Sequence, residues 1–272
     1  MDRYRNRWAL VTGASSGLGL AYARALAGEG ANLILTARRA QRLTELAGQL
    51  SGTFGTRVET IPADLSTSSG AASVMNELST INLLPDILVS NAGYGEPGEF
   101  VEVDLETHER FLRLMVTAHV QLCHGVLPAM RQRGYGRVAL IASLAGLLPS
   151  AAGHTLYGAS KAFLINFAEA LRAEGAEHGI NVTAVCPGLT HTEFHDVNGA
   201  RDRVSKLPSY MFMDAKTVAT ESLNAMERGK TIHVPGRFNK LSAGLSRLLP
   251  RSWVAHQFNR QARALRQKSP PQ

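Results

Sequence analysis

A chain of 272 residues with 44% hydrophobic content can bury a sizeable core in one domain, and its make-up is that of a globular protein, not a fibrous or disordered one. Its net charge of +7 is confined to the C-terminus: from Arg237 onward Arg237, Lys240, Arg247, Arg251, Arg260, Arg263, Arg266 and Lys268 meet no acidic residue, leaving 21 basic against 22 acidic residues in the body, which argues against a nucleic-acid-binding face there. Two cysteines, Cys123 and Cys186, without metal-like spacing, no apolar run long enough for a bilayer, and an N-terminus that enters a strand-like run directly give a reduced, cytoplasmic setting as the expectation.

In chain order, Trp8–Thr12 is apolar and bounded by turn residues, as a buried strand should be. Gly13-Ala-Ser-Ser-Gly17-Leu-Gly19 follows, and Leu20–Ala27 is alanine-rich and helix-forming. Strand, glycine-rich turn and helix in this order let backbone N–H groups and a helix N-terminus approach a pyrophosphate. The second strand, Asn32–Ala37, ends at Arg38-Arg39. An acidic residue at the end of that strand would bond an adenosine ribose. Ala37 cannot, whereas two guanidiniums suit a 2′-phosphate, so the cofactor implied is NADP(H).

A third strand, Val58–Ile61, leads to Asp64, placed to accept from an adenine amino group, and to Ser66, placed to cap the next helix. The fourth strand, Asp86–Ser90, closes on Asn91-Ala92-Gly93, read either as a strand-ending turn or as a floor beneath a cofactor. A long helical segment runs from Leu105 to about Arg133. Strands follow at Val138–Ala142, Val182–Cys186 and Thr231–Val234, with a helix from Tyr157 to about Ala176. Strands alternating with helices make an α/β fold, one doubly wound parallel sheet with helices on both faces, and ligands sit at its carboxyl edge.

Within that frame Tyr157 and Lys161 lie four apart on one helix face, fourteen residues beyond Ser143. A free tyrosine, with a pKa near 10, is only about 0.1% phenolate at neutral pH. A lysine ammonium within about 4–6 Å lowers that pKa, so the pair can act as acid and base, with a serine hydroxyl holding the reacting oxygen.

Together these motifs make the chain resemble the short-chain dehydrogenase/reductase family, through Thr12-Gly-Ala-Ser-Ser-Gly-Leu-Gly19, Asp64-Leu65, Asn91-Ala-Gly93, Ser143, Tyr157-x-x-x-Lys161, and Pro187-Gly188 with Thr192, over roughly residues 7–236. The resemblance implies a Rossmann-like fold, hydride transfer between a nicotinamide and a carbonyl or alcohol carbon, and a homo-oligomer formed through the two long central helices. It implies that Tyr157 is the acid or base, that Lys161 lowers its pKa and holds the nicotinamide ribose, and that Ser143 orients the substrate oxygen. Gly13, Ser15, Ser16, Gly17, Leu18 and Gly19 would form the pyrophosphate and ribose turn. Arg38 and Arg39 would be the basic pair of the NADP-preferring branch, and Pro187, Gly188, Thr190 and Thr192 would meet the nicotinamide end. Asp64, Leu65, Asn91, Ala92 and Gly93 complete the cofactor set. One position departs: where many relatives carry a water-binding asparagine in the fourth helix, this chain has Met115, which either weakens a proton relay or is plain helix core.

Substrate contacts are expected from Gly93–Phe100, Leu144–Leu156 and Leu189–Met213, where Leu147, Leu148, His154, Phe194, Tyr210, Met211, Phe212 and Met213 either line an apolar site or pack a lid. His154 and His195 read as surface or wall residues. Residues 1–236 form the dinucleotide-binding and catalytic region, and 237–272 form a basic extension, part of the same domain or an appendage. In it Leu241, Leu245, Leu248 and Leu249 recur at helical spacing before Pro250, and Val254, Phe258, Ala262 and Leu265 after it. Such a face can lie peripherally on an anionic membrane, dock an acidic partner, or cover the cleft or a neighbouring subunit. The rival to an enzyme is a non-catalytic NADP(H)-binding regulator on the same fold. A second rival is an isomerase, epimerase or dehydratase.

Overall fold

The computed structural model describes residues 2–150, 152–153, 155–192 and 208–257. Apolar residues at alternate strand positions face opposite sides of a pleated sheet, and helix after helix has to cover them. The sheet has seven parallel strands in the order β3-β2-β1-β4-β5-β6-β7. The strands are β1 (Trp8–Thr12), β2 (Asn32–Thr36), β3 (Val58–Thr60), β4 (Ile87–Ser90), β5 (Gly136–Ile141), β6 (Ile180–Val185) and β7 (Ile232–His233).

On one face lie α1 (Gly17–Gly28), α2 (Ala40–Phe54) and α7 (Ala215–Glu227), packing Tyr22, Leu26, Leu43, Leu46 and Leu223 against Ala9, Val11, Leu33 and Val89. The other face carries α3 (Gly70–Thr80), α5 (Ala118–Arg133) and α6 (Thr155–Gly175), whose Val74, Leu122, Val126 and Leu164 meet Leu10, Ile34, Leu88 and Val138. Leu10 faces one way and its neighbours Ala9 and Val11 the other, the two-residue period expected of a strand buried on both sides.

The long segment expected from Leu105 is helical throughout but not uniform. α4 (Leu105–Leu112) runs through a π-helical turn, Arg113–Thr117, into α5. After β7, α8 (Arg237–Leu248) packs back on the body, with 251–257 helical beyond Pro250. The strand order reverses between β1 and β4, so the loops that follow them splay apart and open a crevice at the carboxyl edge.

Candidate active site

A cleft of about 690 Å³ occupies that crevice. Every cofactor and catalytic candidate read from the sequence lines it, with the exception of Gly19. Gly19 lies just beneath the lining: a Cβ there would drive into the Gly13 carbonyl and the Asn91 side chain. Gly13 itself takes a positive φ of 65°, and a Cβ on it would stand 2.9 Å from Asn91 Nδ2. The turn is therefore narrow because two backbones pass where side chains would not fit. Its lower edge is tied by Thr12, whose hydroxyl accepts from the N–H groups of Asn91 (2.8 Å) and Ala92 (2.9 Å), while Asn91 Nδ2 donates to the Thr12 carbonyl (2.8 Å).

Arg38 and Arg39 stand at one end of the cleft. Arg39 Nη2 donates to both Ser15 Oγ and Ser16 Oγ at 3.0 Å, so the guanidinium already holds the glycine-rich turn. Partial burial pushes the Asp64 carboxyl upward. Hydrogen bonds from Ser66 and the charges of Arg38 and Arg110 outweigh it and keep the group below the usual carboxylate range. Ser66 is not the helix cap expected of it. Its N–H and its hydroxyl both donate to Asp64 Oδ1, at 2.9 and 2.7 Å, and α3 starts only at Gly70, preceded by Ser69. An Asx-type turn, in which the carboxylate takes the N–H two residues on, has won over the cap.

Met115 is fully buried in the π-helical turn and does not line the cleft. Its sulfur would lie 2.9 Å from a Cβ placed on Gly93, so the thioether fills the space directly beneath the floor of the site. One turn further on, His119 Nδ1 and Ser90 Oγ are 2.7 Å apart, both groups buried. Burial, and then the charge of Lys161, push this imidazole down to about 3, so it is neutral.

Tyr157 and Lys161 come from the first two turns of α6, and Ser143 from the loop just past β5. Ser143 Oγ accepts from the Ala145 N–H at 3.1 Å, and the Leu144 N–H donates to the Pro187 carbonyl at 2.9 Å, joining the loops after β5 and β6. Lys161 is 4% exposed; Nζ donates to the Ile141 carbonyl at 2.7 Å and lies 5.8 Å from the Tyr157 ring centroid. Burial pushes its ammonium down to about 8. The Tyr157 hydroxyl behaves differently from the sequence expectation. Burial raises it above its ordinary value, and the hydrogen bond with Ser143 offsets only part of that rise. The reason is geometric: the ammonium is turned to a strand carbonyl, and desolvation of the hydroxyl prevails. What the trio can do is pass a proton between a buried phenol and a small oxygen held at Ser143.

The substrate side is apolar, but not from all the loops expected. Leu144, Leu148, Pro149 and Leu189 line the cleft, whereas Leu147 packs into the core. Tyr210, Met211, Phe212 and Met213 are not among the lining residues. Met213 instead bonds through its backbone to Leu189 and His191 and braces the wall from behind. His154, Phe194 and His195 lie outside the described residues. Tyr94, from the expected loop Gly93–Phe100, lines the cleft, and sequence reasoning missed Arg110 and Leu114, which line it too. The i, i+4 spacing of Arg110 and Leu114 was the available signal, but nothing local says which face of a long helix turns toward a cleft.

The family model for the short chain dehydrogenases matches residues 7–202. Sulfoacetaldehyde reductase 2 of Chromohalobacter salexigens is 38% identical over 198 residues, covering 72% of this chain and 77% of its own. Ketoacyl reductase HetN of a Nostoc strain is 31% identical over 249 residues, covering 92% and 85%. The solved structure of a short-chain dehydrogenase from Sphingobium yanoikuyae in complex with NADPH superposes with a TM-score of 0.78 at 33% identity, over 89% of this chain and 94% of that one. With the fold, the order of its motifs and these matches in agreement, the chain belongs to the short-chain dehydrogenase family.

Proposed function

We propose that this protein is an NADP(H)-dependent oxidoreductase that interconverts a carbonyl and an alcohol on an apolar, lipid-like substrate, with Ser143, Tyr157 and Lys161 as the catalytic set. The observation that carries this reading is the meeting, in one cleft, of the glycine-rich turn with its arginine pair and of the Tyr157 hydroxyl hydrogen-bonded to Ser143. The residues present fit the dinucleotide. A turn without side chains at Gly13 and Gly19 leaves backbone N–H groups open to a pyrophosphate, and Arg38 and Arg39 offer charge-assisted bonds to a 2′-phosphate. When bound, the nicotinamide supplies or accepts the hydride.

The chain's own residues do the rest. Ser143 holds the substrate oxygen, and Tyr157 donates its proton to that oxygen in reduction and takes it back in oxidation. A hydroxyl kept protonated by burial suits the donor role at neutral pH. Lys161 keeps a positive charge beneath the site, steadying negative charge as the proton leaves Tyr157, and offers N–H donors to the ribose. Leu144, Leu148, Pro149 and Leu189 exclude water and favour an apolar substrate. The relatives' names span a small polar aldehyde and a ketoacyl group, so this chain's own lining, and not its family, argues for the apolar class. The same reading includes a homo-oligomer and contact of the basic extension with a membrane periphery.

A second reading, a non-catalytic NADP(H)-binding regulator, draws on Met115, which cannot hold a relay water by a side-chain amide. Tyr157→Phe separates the two. The variant should still bind NADPH, as read by fluorescence titration, while NADPH oxidation against a panel of ketones and 3-oxoacyl chains of graded length falls by about 10²- to 10⁴-fold. Turnover that survives the substitution overturns the proposal.

A further inference from the structure

The leucine face of α8 points outward. Phe238, Leu241, Leu245 and Leu248, at i, i+3, i+7 and i+10, are 42, 62, 49 and 83% exposed, whereas Asn239 and Ala243 on the opposite side are buried. Leu249 and Trp253 extend the exposed apolar surface past Pro250. An amphipathic helix normally turns such a stripe to the core. Here the buried side belongs to the polar Asn239, whose Nδ2 donates to the Pro235 carbonyl at 2.9 Å and whose amide is packed against Gly188 in the cleft wall. Tyr210, 69% exposed, meets Phe238 edge-on at 5.5 Å, so the apolar surface continues onto the segment that braces Leu189.

Resting on the proposed reading of the extension, and going further, we propose that this face docks on an anionic bilayer and holds the wall of the substrate cleft against it. Four points favour lipid as the occupant. Arg237, Lys240 and Arg251 are exposed beside the leucines, within a run that has eight basic residues and no acidic one after residue 236. Glu221, an acid that reaches this surface, accepts from the Gly236 N–H at 3.2 Å and faces Lys240 at 4.0 Å, so its charge is balanced by the cation beside it. A two-fold contact with a second copy would bring the same basic run against itself, which disfavours self-association through this face. Trp253 adds an indole, a side chain suited to a headgroup boundary. Since α8 lies directly behind Gly188, docking brings the cleft to within about one helix diameter, ~10 Å, of the lipid surface, where an apolar substrate would be concentrated.

Removing α8 would strip Asn239 from Gly188, so substitutions at exposed positions are the proper test. The full chain should float with phosphatidylcholine vesicles that contain roughly a third phosphatidylserine, float poorly with phosphatidylcholine alone, and be released by raised salt. Leu241→Glu with Leu245→Glu should cut the vesicle-bound fraction by about tenfold and slow reduction of a long-chain ketone presented in vesicles, while reduction of a water-soluble ketone and the melting temperature stay unchanged. Arg251→Glu should weaken binding to the anionic vesicles alone. Equal flotation of the double variant, no flotation of the full chain on anionic vesicles, or a fall from dimer to monomer by light scattering in the double variant would each overturn the proposal, the last by assigning the face to a second copy. Flotation as expected with no ketone reduced by any form would instead sink the catalytic reading and leave the docking face standing.

Discussion

Lys161 sits in the fold at a cost. Its charge is buried, its described partner is a neutral carbonyl, and burial brings its pKa from 10.5 to about 8. The unfolded chain therefore binds a proton that the folded one has lost between pH 8 and 10.5, and stability rises with pH across that window. Below pH 8 both states are charged and the full cost is present. Above 10.5 neither is, and the cost is gone. Measured against Lys161→Met in urea titrations, the wild type should gain stability on the order of 3 kcal/mol between those limits. The comparison is insensitive to the Ile141 carbonyl that the methionine leaves without a donor, because that loss does not titrate. A flat difference would show that the ammonium is better solvated than its 4% exposure indicates.

The turn between β2 and α2 links the two ends of the cofactor half. Arg39 reaches back to Ser15 and Ser16 in the turn between β1 and α1, and Arg38 faces Asp64 beyond β3, so three successive strand ends share one cluster of charge. Replacing Arg38 and Arg39 together by alanine should lower the preference for NADPH over NADH, as the ratio of kcat/KM values, by about 10- to 100-fold, the worth of one or two charge-assisted bonds. An unchanged ratio would assign the pair to bracing the turn alone. The helix from α4 to α5 works as a second unit. Its π-helical turn, Arg113–Thr117, adds a residue to one turn, and around it the helix presents Arg110 and Leu114 to the cleft, Met115 to Gly93 and His119 to Ser90.

Across the whole molecule, a near-neutral body carries α8 with its leucine face turned outward, and the interior holds titratable groups that set its acid limit. His119 is held neutral with its pKa pushed to about 3, first by burial and then by Lys161; His233 is pushed to about 4, again first by burial. Folded values below the ordinary 6.5 mean that unfolded histidines take up protons first, so stability is lost as pH falls below 6.5. Against His119→Gln, the wild type should lose on the order of 3 kcal/mol more by pH 4, a difference that chemical denaturation at several pH values would read. Equal losses would show that water reaches the Ser90–His119 pair.

The strands themselves, the parallel sheet, the glycine-rich turn and the placing of Tyr157 and Lys161 on one helix were legible in the sequence because each rests on a period or a turn chemistry within a few residues; the order of the strands in the sheet was not. Alternation marks a strand, i and i+4 mark one helix face, and strand ends in an α/β sheet converge whatever the loops contain. Competition between distant or equivalent partners was not legible. Ser66 could cap a helix or bond Asp64, Lys161 could face the phenol or Ile141, and the leucines of α8 could turn inward or outward. Only the tertiary structure decided these, since the winner depends on which surfaces pack across the fold, and on how much desolvation each group suffers there.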